Sequence, residues 1–264
     1  MKLLSGRELA NKKTKELKEV ISKLSFEPKM TIVQVGEDPA SNKYVQFKLD
    51  KAWDLGIDAK AIKLEDTISE EHLEAIILEE VKSTDGLIIQ LPLPKGIDKQ
   101  KMLNLVPFKK DIDGLAEGNN IITPATPRGI LSLLKENDIK LKGVKAAVVG
   151  QSNLVGKPVS NLLEKEGSIV SRYDLSTGIK GTEKADVLVV AAGELNLIKN
   201  ENIKEGVTII DVGINTFNNG KITGDVDRES VGDKPFALSP VPGGVGPMTV
   251  ISLLENLVDT VKDK

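Results

Sequence analysis

Eleven consecutive residues, SPVPGGVGPMT at 239–249, contain three prolines and three glycines and constrain the fold more than any other segment. Proline lacks a backbone N–H and has a fixed φ, while glycine reaches conformations that other residues avoid. The interior of a helix or of a central strand is therefore excluded here. Because apolar residues at helical spacing follow, we predict a shaped loop that leads into a helix at 247–262. Its N–H groups could bind a flat or anionic ligand, or the loop could be a rigid connection.

The residue types that the chain lacks exclude several chemistries. It has no cysteine, which excludes disulfides, thiolate nucleophiles and cysteine-ligated metals. Its one histidine, His72, lies in the acidic first turn of a predicted helix, where a surface position is expected. Ser-His-Asp catalysis and histidine metal sites are then excluded, and we expect no metal. Proton transfer would come from Lys, Asp, Glu, Tyr or water.

Charge and hydropathy limit the partners and the location. The formal net charge is −3 and the basic residues are dispersed, so neither nucleic acid nor a membrane is an expected partner. No apolar run approaches the ~18 residues of a membrane span. The N-terminal sequence MKLLSGR becomes polar too early for a signal peptide, so we predict a cytoplasmic protein.

Apolar strands and amphipathic helices alternate along both halves of the chain, which predicts an α/β fold with mostly parallel sheets. A length of 264 residues fits one large or two modest domains. We place a first domain at residues 1–135 and a second at 136–246. The helix at 247–264 is expected to pack back on the first domain, because the proline–glycine loop before it can redirect the chain.

The sequence KAAVVGQSNLVGKP at 145–158 indicates a strand, a tight turn and the start of a helix. It varies the dinucleotide fingerprint as G-x-S-x-x-x-G. Gly150 permits the turn, Ser152 offers a hydroxyl to a phosphate, and Gly156 lets the helix pack closely on the strand. A pyrophosphate would lie at the helix N-terminus. The alternative is a glycine-tolerant turn that binds nothing.

Residues after the later strands could bind the rest of a dinucleotide. Arg172 and Asp174 stand where an acidic side chain normally binds the ribose of NAD and where arginine suits the 2′-phosphate of NADP. With both charges present, the sequence leaves the choice open. Small residues, at Gly193 and in DVGIN at 211–215, would leave room for the nicotinamide half.

The first half contains four polar residues that could carry chemistry. Tyr44 and Lys48 are four residues apart on a predicted helix and therefore share one face. Gln90 ends an apolar strand and needs hydrogen-bond partners there. Asp113 precedes a glycine in KDIDG at 110–114. Each also has an ordinary interpretation: a half-buried tyrosine, a solvated lysine, a glutamine that caps a backbone group, and a turn.

These segments, in this order and over nearly the whole chain, resemble one family: bifunctional methylenetetrahydrofolate dehydrogenase/methenyltetrahydrofolate cyclohydrolase. The matching segments are Val35-Gly36, Ala40-Ser41, Tyr44-Val45 with Lys48, QLPLP at 90–94, KDIDG at 110–114, PATPRG at 124–129, Gly150 with GKP at 156–158, DVGIN at 211–215, GDV at 224–226 and PVPGGVGPMT at 240–249. The resemblance implies two α/β domains around a cleft, the second a Rossmann-type doubly wound, mostly parallel sheet.

The resemblance further implies an enzyme of one-carbon metabolism that binds a tetrahydrofolate derivative in its first domain and NADP in its second. Hydride transfer from methylenetetrahydrofolate would give the methenyl cation. Water would then attack that cation, and the ring would open to give 10-formyltetrahydrofolate. The family also suggests a homodimer.

The family motifs imply a role for each candidate residue. Lys48 would handle the proton and activate water, while Gln90 would orient Lys48 and help hold it unprotonated. Tyr44 would stack on the folate rings, and Asp113 would hydrogen-bond the pterin. The folate pocket would also include Leu91, Pro242, Gly243 and Gly244. The cofactor would be bound by Gly150, Gln151, Ser152, Val155, Gly156, Arg172, Asp174, Leu175, Gly193, Ile214 and Thr249.

Some positions depart from the family pattern. Gln151 stands where the family usually has arginine, and Leu175 ends a segment that is often Cys-His-Ser, so groups that bind the NADP 2′-phosphate are missing. Asp174 would repel that phosphate, although Arg172 could compensate. NADP is the family expectation, and NAD is the alternative.

Two other functions fit parts of the sequence. One is a two-domain NAD(P)-dependent dehydrogenase of shikimate type, against which the proline–glycine loop and QLPLP argue. The other is a dinucleotide-binding sensor without catalysis. The intact residues Tyr44, Lys48, Gln90 and Asp113 argue against a sensor.

Overall fold

Strands and helices alternate along the chain in the computed structural model, which describes residues 1–217 and 220–262. The strands are β1 (Lys2–Leu3), β2 (Lys29–Val35), β3 (Asp58–Leu64), β4 (Gly86–Gln90), β5 (Lys145–Val149), β6 (Ile169–Tyr173), β7 (Val187–Val190), β8 (Thr208–Asp211), β9 (Asn215–Thr216), β10 (Ile222–Thr223) and β11 (Ala237–Leu238). The helices are α1 (Gly6–Ile21), α2 (Pro39–Asp54), α3 (Glu70–Ser83), α4 (Lys99–Asn104), α5 (Ala125–Glu136), α6 (Gly156–Lys165), α7 (Arg228–Val231) and α8 (Val245–Val261). This alternation confirms the predicted α/β fold.

The chain divides into two compact units, which we name by their sheets. The three-stranded unit consists of Lys12–Ala125 and Val250–Lys264. The six-stranded unit consists of Met1–Asn11 and Thr126–Thr249. The predicted domain limits, 1–135 and 136–246, assign residues 1–11 and 126–135 differently. As limits of functional domains they stay a prediction.

The three-stranded unit is built on a parallel sheet in the order β3-β2-β4. The central strand β2 is buried at every position after its first, as expected for a parallel strand that is covered on both faces. Its register with β4 places Gln34 opposite Gln90. From α8, Asn256 and its buried apolar neighbours complete this unit.

Local sequence determines where α2 begins and ends. The Asp38 side chain accepts a 2.7 Å hydrogen bond from the N–H of Ser41, and Pro39 occupies the first position of the helix. After the helix, Gly56 adopts a φ of +78°, which other residues rarely reach. This helix carries Tyr44 and Lys48.

The six-stranded unit is built on a sheet in the order β1-β11-β8-β7-β5-β6, with parallel pairing throughout. Strand β5 has β6 on one side and β7 on the other, so the strand order reverses there. Ligands of such sheets bind at this reversal, beyond the carboxyl ends of the strands. The predicted Rossmann-type sheet is confirmed, and the loop at 150–156 lies at its switch point.

One predicted boundary differs from the structure, and one helix shows little sequence signal. Helix α4 buries only Met102 and Leu103 and is too short for a clear helical period. Helix α8 begins at Val245, before its predicted start at 247, and α5 begins at Ala125. Both starts include a proline, which the first turn of a helix tolerates because the N–H there is unpaired anyway.

Candidate functional site

Three of the predicted residues come together within the three-stranded unit. Lys48 lies on α2 with only 6% of its side chain exposed. Its Nζ donates a 3.1 Å hydrogen bond to Oε1 of Gln90 and lies 3.9 Å from Oδ2 of Asp113. The lysine is therefore a buried, partnered amine, and the interpretation as a solvated surface lysine is wrong.

Gln90 holds its amide in one orientation. Its Nε2 donates a 2.7 Å hydrogen bond to the backbone carbonyl of Leu91, which leaves Oε1 directed at Lys48. The structural and the functional interpretations of this glutamine are thus both realised, because the same amide caps a backbone group and contacts the lysine. Leu91 is partly exposed beside it.

A loop anchored by a buried carboxylate presents Asp113. The side chain of Asp111 is buried and accepts hydrogen bonds from the N–H groups of Gly114 and Ala116 at 3.0 and 2.8 Å. It also accepts a 3.0 Å hydrogen bond from the amide of Asn119. These hydrogen bonds hold the backbone of the turn that contains Asp113 in one conformation. Sequence reasoning assigned no role to Asp111, although it lies in the KDIDG segment.

Asn256, on α8, clamps both ends of the same loop. Its Nδ2 donates to the carbonyl oxygens of Ile112 at 2.8 Å and Thr123 at 3.0 Å. A buried asparagine with two carbonyl acceptors fixes the backbone on either side of Asp113. The sequence shows Asn256 beside Glu255 in a largely apolar helix, which alone does not reveal its partners.

Burial shifts the pKa values of Lys48 and Asp113. It lowers the pKa of the Lys48 ammonium, and the charge of Asp113 opposes that shift. Burial also raises the pKa of Asp113, which Lys48 opposes and Asp111 reinforces. Burial therefore disfavours the charged form of the Lys48 amine, and a lysine in its neutral form can accept a proton.

Tyr44 lies one helical turn before Lys48 on α2 and is half-buried. Burial raises the pKa of its hydroxyl, so the ring stays neutral at ordinary pH. A fixed aromatic ring one turn from a buried amine offers a stacking surface to a flat ligand.

The other predicted pocket residues lie in the six-stranded unit. Gly243 accepts a hydrogen bond from the N–H of Arg7 at its carbonyl, and a Cβ on Gly244 would come within 2.6 Å of the Pro240 carbonyl oxygen. Pro242 precedes them in the same tight loop. Lys48 belongs to the other unit, and the place of these residues in the folate pocket stays a prediction.

Two glycines, Gly150 and Gly156, form a narrow turn at the end of β5, which we call the cradle. Gly150 has a φ of +89°, and a Cβ there would overlap the Ala191 carbonyl. A Cβ on Gly156 would overlap the carbonyl oxygen of Gly150. Only glycine fits at either position, so the turn and the first residue of α6 approach each other without side chains between them.

The start of α6 is suited to an anion. Val155 supplies no side-chain cap to this helix. In its first turn the N–H of Lys157 already donates to the carbonyl oxygen of Ser152 at 3.1 Å and Pro158 has no N–H, so the N–H of Gly156 is the donor that a ligand could meet there. Ser152 is exposed, and its Oγ accepts a 3.2 Å hydrogen bond from the N–H of Val155. These features fit the pyrophosphate of a dinucleotide.

Gln151 is turned inward. Its Nε2 donates to the carbonyl oxygens of Val148 at 3.0 Å and Gly150 at 3.1 Å. The amide therefore braces the strand end, and the predicted contact between Gln151 and a cofactor would come from its backbone.

The charges at the end of β6 already have partners. Arg172 forms a two-pronged ion pair with Glu164 on α6, with N–O distances of 2.7 and 2.8 Å, and also donates to Asn161. Asp174 accepts hydrogen bonds from the N–H and the hydroxyl of Ser176. Leu175, which follows, is about half exposed at 49%. The guanidinium of Arg172, which was expected to favour a 2′-phosphate, is therefore neutralised by Glu164.

The remaining predicted cofactor residues lie in loops and at a helix start. Gly193 follows β7, and its N–H donates to a carboxylate oxygen of Asp225 at 2.9 Å. Ile214 follows β8 and is exposed. Thr249, in the first turns of α8, lies 3.1 Å from Thr126 between hydroxyl oxygens.

Within residues 1–217 and 220–262, no group of three or more histidine, aspartate or glutamate side chains is placed to hold a metal ion. Over the same residues, no helix has the length and apolar character needed to cross a membrane.

Two family descriptions match the chain in order. The catalytic domain of tetrahydrofolate dehydrogenase/cyclohydrolase matches residues 4–113. The NAD(P)-binding domain of the same family matches residues 124–264. Together they place the Lys48 site in the catalytic domain and the glycine cradle in the NAD(P)-binding domain.

Relatives match over nearly their whole length. A bifunctional FolD protein from Mycoplasma mobile is 50% identical over 270 residues, which cover 98% of this chain and 96% of the relative. A FolD crystal structure from Campylobacter jejuni has a TM-score of 0.95 and 39% identity, covering 100% and 99% of the two chains. A Trypanosoma brucei FolD structure, complexed with NADP and an inhibitor, has a TM-score of 0.92 and 29% identity, covering 99% and 97%.

Shikimate dehydrogenases share the fold alone. The structure from Aquifex aeolicus has a TM-score of 0.57 at 15% identity, covering 88% of this chain and 92% of that one. The shikimate-type alternative is therefore not supported beyond architecture. Because both of its domains match in order, the chain belongs to the tetrahydrofolate dehydrogenase/cyclohydrolase family.

Proposed function

We propose that this chain oxidises methylenetetrahydrofolate with a nicotinamide dinucleotide and hydrolyses the methenyl product to 10-formyltetrahydrofolate. The observation that carries the proposal is the buried Lys48 amine, held by Gln90 and Asp113 in the domain that matches the family's catalytic domain. Its relatives are bifunctional proteins of one-carbon metabolism, and this chain matches both of the family's domains.

For the dehydrogenase step, the chain supplies position and electrostatics. The bound dinucleotide supplies the hydride acceptor, and the Gly150–Gly156 cradle would hold its pyrophosphate. Tyr44 stacks on the folate rings and Asp113 hydrogen-bonds the pterin. Because hydride leaves carbon without a proton transfer, this step needs no base.

For the cyclohydrolase step, neutral Lys48 takes a proton from the attacking water. The new C–O bond forms at the methenyl carbon. The added hydroxyl then loses its proton as the C=O bond forms, and the bond from that carbon to N5 breaks with its electron pair on nitrogen. N5 takes up a proton, so the net change is addition of water and release of one proton. Gln90 accepts a hydrogen bond from the Lys48 amine, which orients the nitrogen lone pair for this transfer.

Replacing Asp113 by asparagine tests the charge state of Lys48. The carboxylate opposes the lowered pKa of the lysine, so its removal should lower that pKa further. Cyclohydrolase activity requires the neutral amine and rises with pH through this pKa. We therefore expect the acid limb of the pH–rate profile to move to lower pH by about one to three units. The control is Asp50→Asn, which changes an exposed carboxylate on α2, the helix that carries Lys48. An acid limb that stays in place or moves to higher pH in the Asp113 variant would refute the assignment.

NADP is our proposal for the dinucleotide, since it is the family expectation and the Trypanosoma brucei relative is complexed with it. The pairing of Arg172 with Glu164 and the charge of Asp174 oppose a strong preference. Exposed charges are screened by water, so the repulsion is modest. We expect kcat/KM for NADP and NAD to lie within about tenfold of each other. Asp174→Ser should raise the NADP value more than the NAD value, whereas equal changes would exclude a role for this charge.

Thermal unfolding tests the substrate class. A ligand that binds the folded state raises the melting temperature by mass action. We expect a tetrahydrofolate derivative to raise it and shikimate to leave it unchanged. A shift with dinucleotide but none with the folate would instead favour the non-catalytic sensor.

We also propose a cytoplasmic homodimer, supported by the family resemblance. Sedimentation of the purified chain over a range of concentrations tests the dimer. A monomer at every concentration would exclude it.

A further inference from the structure

Two buried carboxylates in the six-stranded unit have no part in the reaction proposed above. Asp211 ends β8 and is 3% exposed, and Asp225, after β10, is 0% exposed. Among the residues that the structure describes, neither pairs with a lysine or arginine. Burial raises the pKa of Asp211 to about 6, an effect that the charge of Asp225 reinforces. Two like charges buried this closely are costly, which indicates that the arrangement has a use.

Asp225 connects two loops at the carboxyl ends of neighbouring strands. Its Oδ2 accepts 2.9 Å hydrogen bonds from the N–H groups of both Ala192 and Gly193, after β7. Its Oδ1 accepts a 2.9 Å hydrogen bond from the amide of Asn215, after β8. One carboxylate therefore sets the separation of the loops that contain Gly193 and Ile214.

Asp211 fixes Asp225 in turn. Its Oδ1 accepts hydrogen bonds from the N–H groups of Gly213 at 3.1 Å and Asp225 at 3.0 Å, and its Oδ2 accepts one from Val226 at 3.1 Å. A Cβ on Gly213 would overlap the Asp225 carboxylate, and one on Gly224 would overlap that of Asp211. The segments DVGIN and GDV are thus joined by buried hydrogen bonds. Their aspartates accept these bonds, and their glycines leave room for the two carboxylates.

We propose that Asp225 is a positioning residue for the nicotinamide half of the dinucleotide, acting through the loops at 191–193 and 213–215, with Asp211 as its support. This inference rests on the proposed dehydrogenase function. The loops follow β7 and β8, beside the switch point where ligands of such sheets bind. Misplacement of a bound reactant by about 1 Å can cost about a hundredfold in rate.

An amide cannot replace this carboxylate alone. All the hydrogen bonds that the structure gives its two oxygens come from N–H donors, so the NH₂ of an asparagine would face a donor on one side. Exchanging the partner as well restores the match between these two side chains, at the loss of the 3.0 Å hydrogen bond that Asn215 donates to the carbonyl oxygen of Gly224. In Asn215→Asp/Asp225→Asn, the new amide donates to the new carboxylate while its oxygen accepts from the backbone of the 191–193 loop.

The test compares Asp225→Asn, the double variant and Asp227→Asn in the full-length protein. Asp227 lies two residues away and caps α7 through the N–H of Ser230, without contact to either loop, so it controls for local destabilisation. We would titrate NADP and NAD by calorimetry, measure KM for the dinucleotide and for the folate, and follow hydrogen exchange of the Ala192 and Gly193 amides.

For Asp225→Asn we expect at least about tenfold weaker dinucleotide binding and faster exchange of both amides. The folate KM and the cyclohydrolase rate should change by less than about twofold. The double variant should recover part of the affinity. Equal loss of both activities in Asp225→Asn, or normal dinucleotide binding by that variant, would overturn the inference. If the unaltered protein neither binds nor reduces a dinucleotide, it is the proposed function that fails.

Discussion

Replacing Lys48 by methionine is expected to reduce cyclohydrolase activity by at least about a hundredfold, the usual contribution of a general base. The substitution removes the amine that Gln90 and Asp113 hold in place, and methionine fills similar space without a charge. Cofactor reduction should fall far less, because hydride transfer requires no proton acceptor. The decay of methenyltetrahydrofolate absorbance, corrected for uncatalysed hydrolysis, measures the loss.

Two controls separate chemistry from folding in this variant. Lys43→Met changes an exposed lysine on the same helix and should leave both activities intact. The melting temperature of Lys48→Met should not fall, because burial already disfavours the ammonium form that the substitution removes. Normal methenyl hydrolysis by folded Lys48→Met would show that this lysine is not the base.

Replacing Gly156 by alanine should produce the opposite phenotype. A Cβ at this position would overlap the carbonyl oxygen of Gly150, so the turn and α6 must move apart. A shift of about 1 Å in a binding loop can cost about a hundredfold, and we expect a loss of at least this size in dinucleotide affinity and reduction rate. Cyclohydrolase activity should be largely retained, since its residues lie in the three-stranded unit.

Gly206→Ala is the matched control for this variant. Gly206 belongs to the same unit and has a φ of +75°, but a Cβ there would meet nothing within 4 Å. Alanine at this position costs about 1 kcal/mol of backbone strain without touching the cradle. Calorimetric titration with NADP that gives wild-type affinity for Gly156→Ala would remove the cradle from the binding site.

Local features of the fold could be predicted because they depend on neighbouring residues. The cap at Asp38 followed by Pro39 is an example, since both act within one helical turn. The shared helix face of Tyr44 and Lys48 is another. The contact between Lys48 and Gln90 joins residues 42 positions apart, and it depends on how α2 packs against the sheet. Before the resemblance was considered, each of these residues had an ordinary interpretation of its own.

Other features had too little sequence signal. Strands β1 and β11 are two residues long, which is too short for any alternation to show. The neutralisation of Arg172 by Glu164 depends on the packing of α6 beside β6, whereas the sequence shows only one charged residue at each position. Asp111, Asn256 and Asp225 act by holding backbone groups of distant loops, and such roles have no local pattern.

The most direct measurement is a progress curve with two absorbance signals. Purified protein is mixed with methylenetetrahydrofolate and NADP, or with NAD in parallel, and the reduced cofactor and the methenyl species are followed separately. An enzyme with both activities should accumulate reduced cofactor while the methenyl species stays low. Methenyl accumulation in step with the reduced cofactor would contradict the cyclohydrolase role of Lys48. No reduction with either dinucleotide would contradict the proposed function altogether.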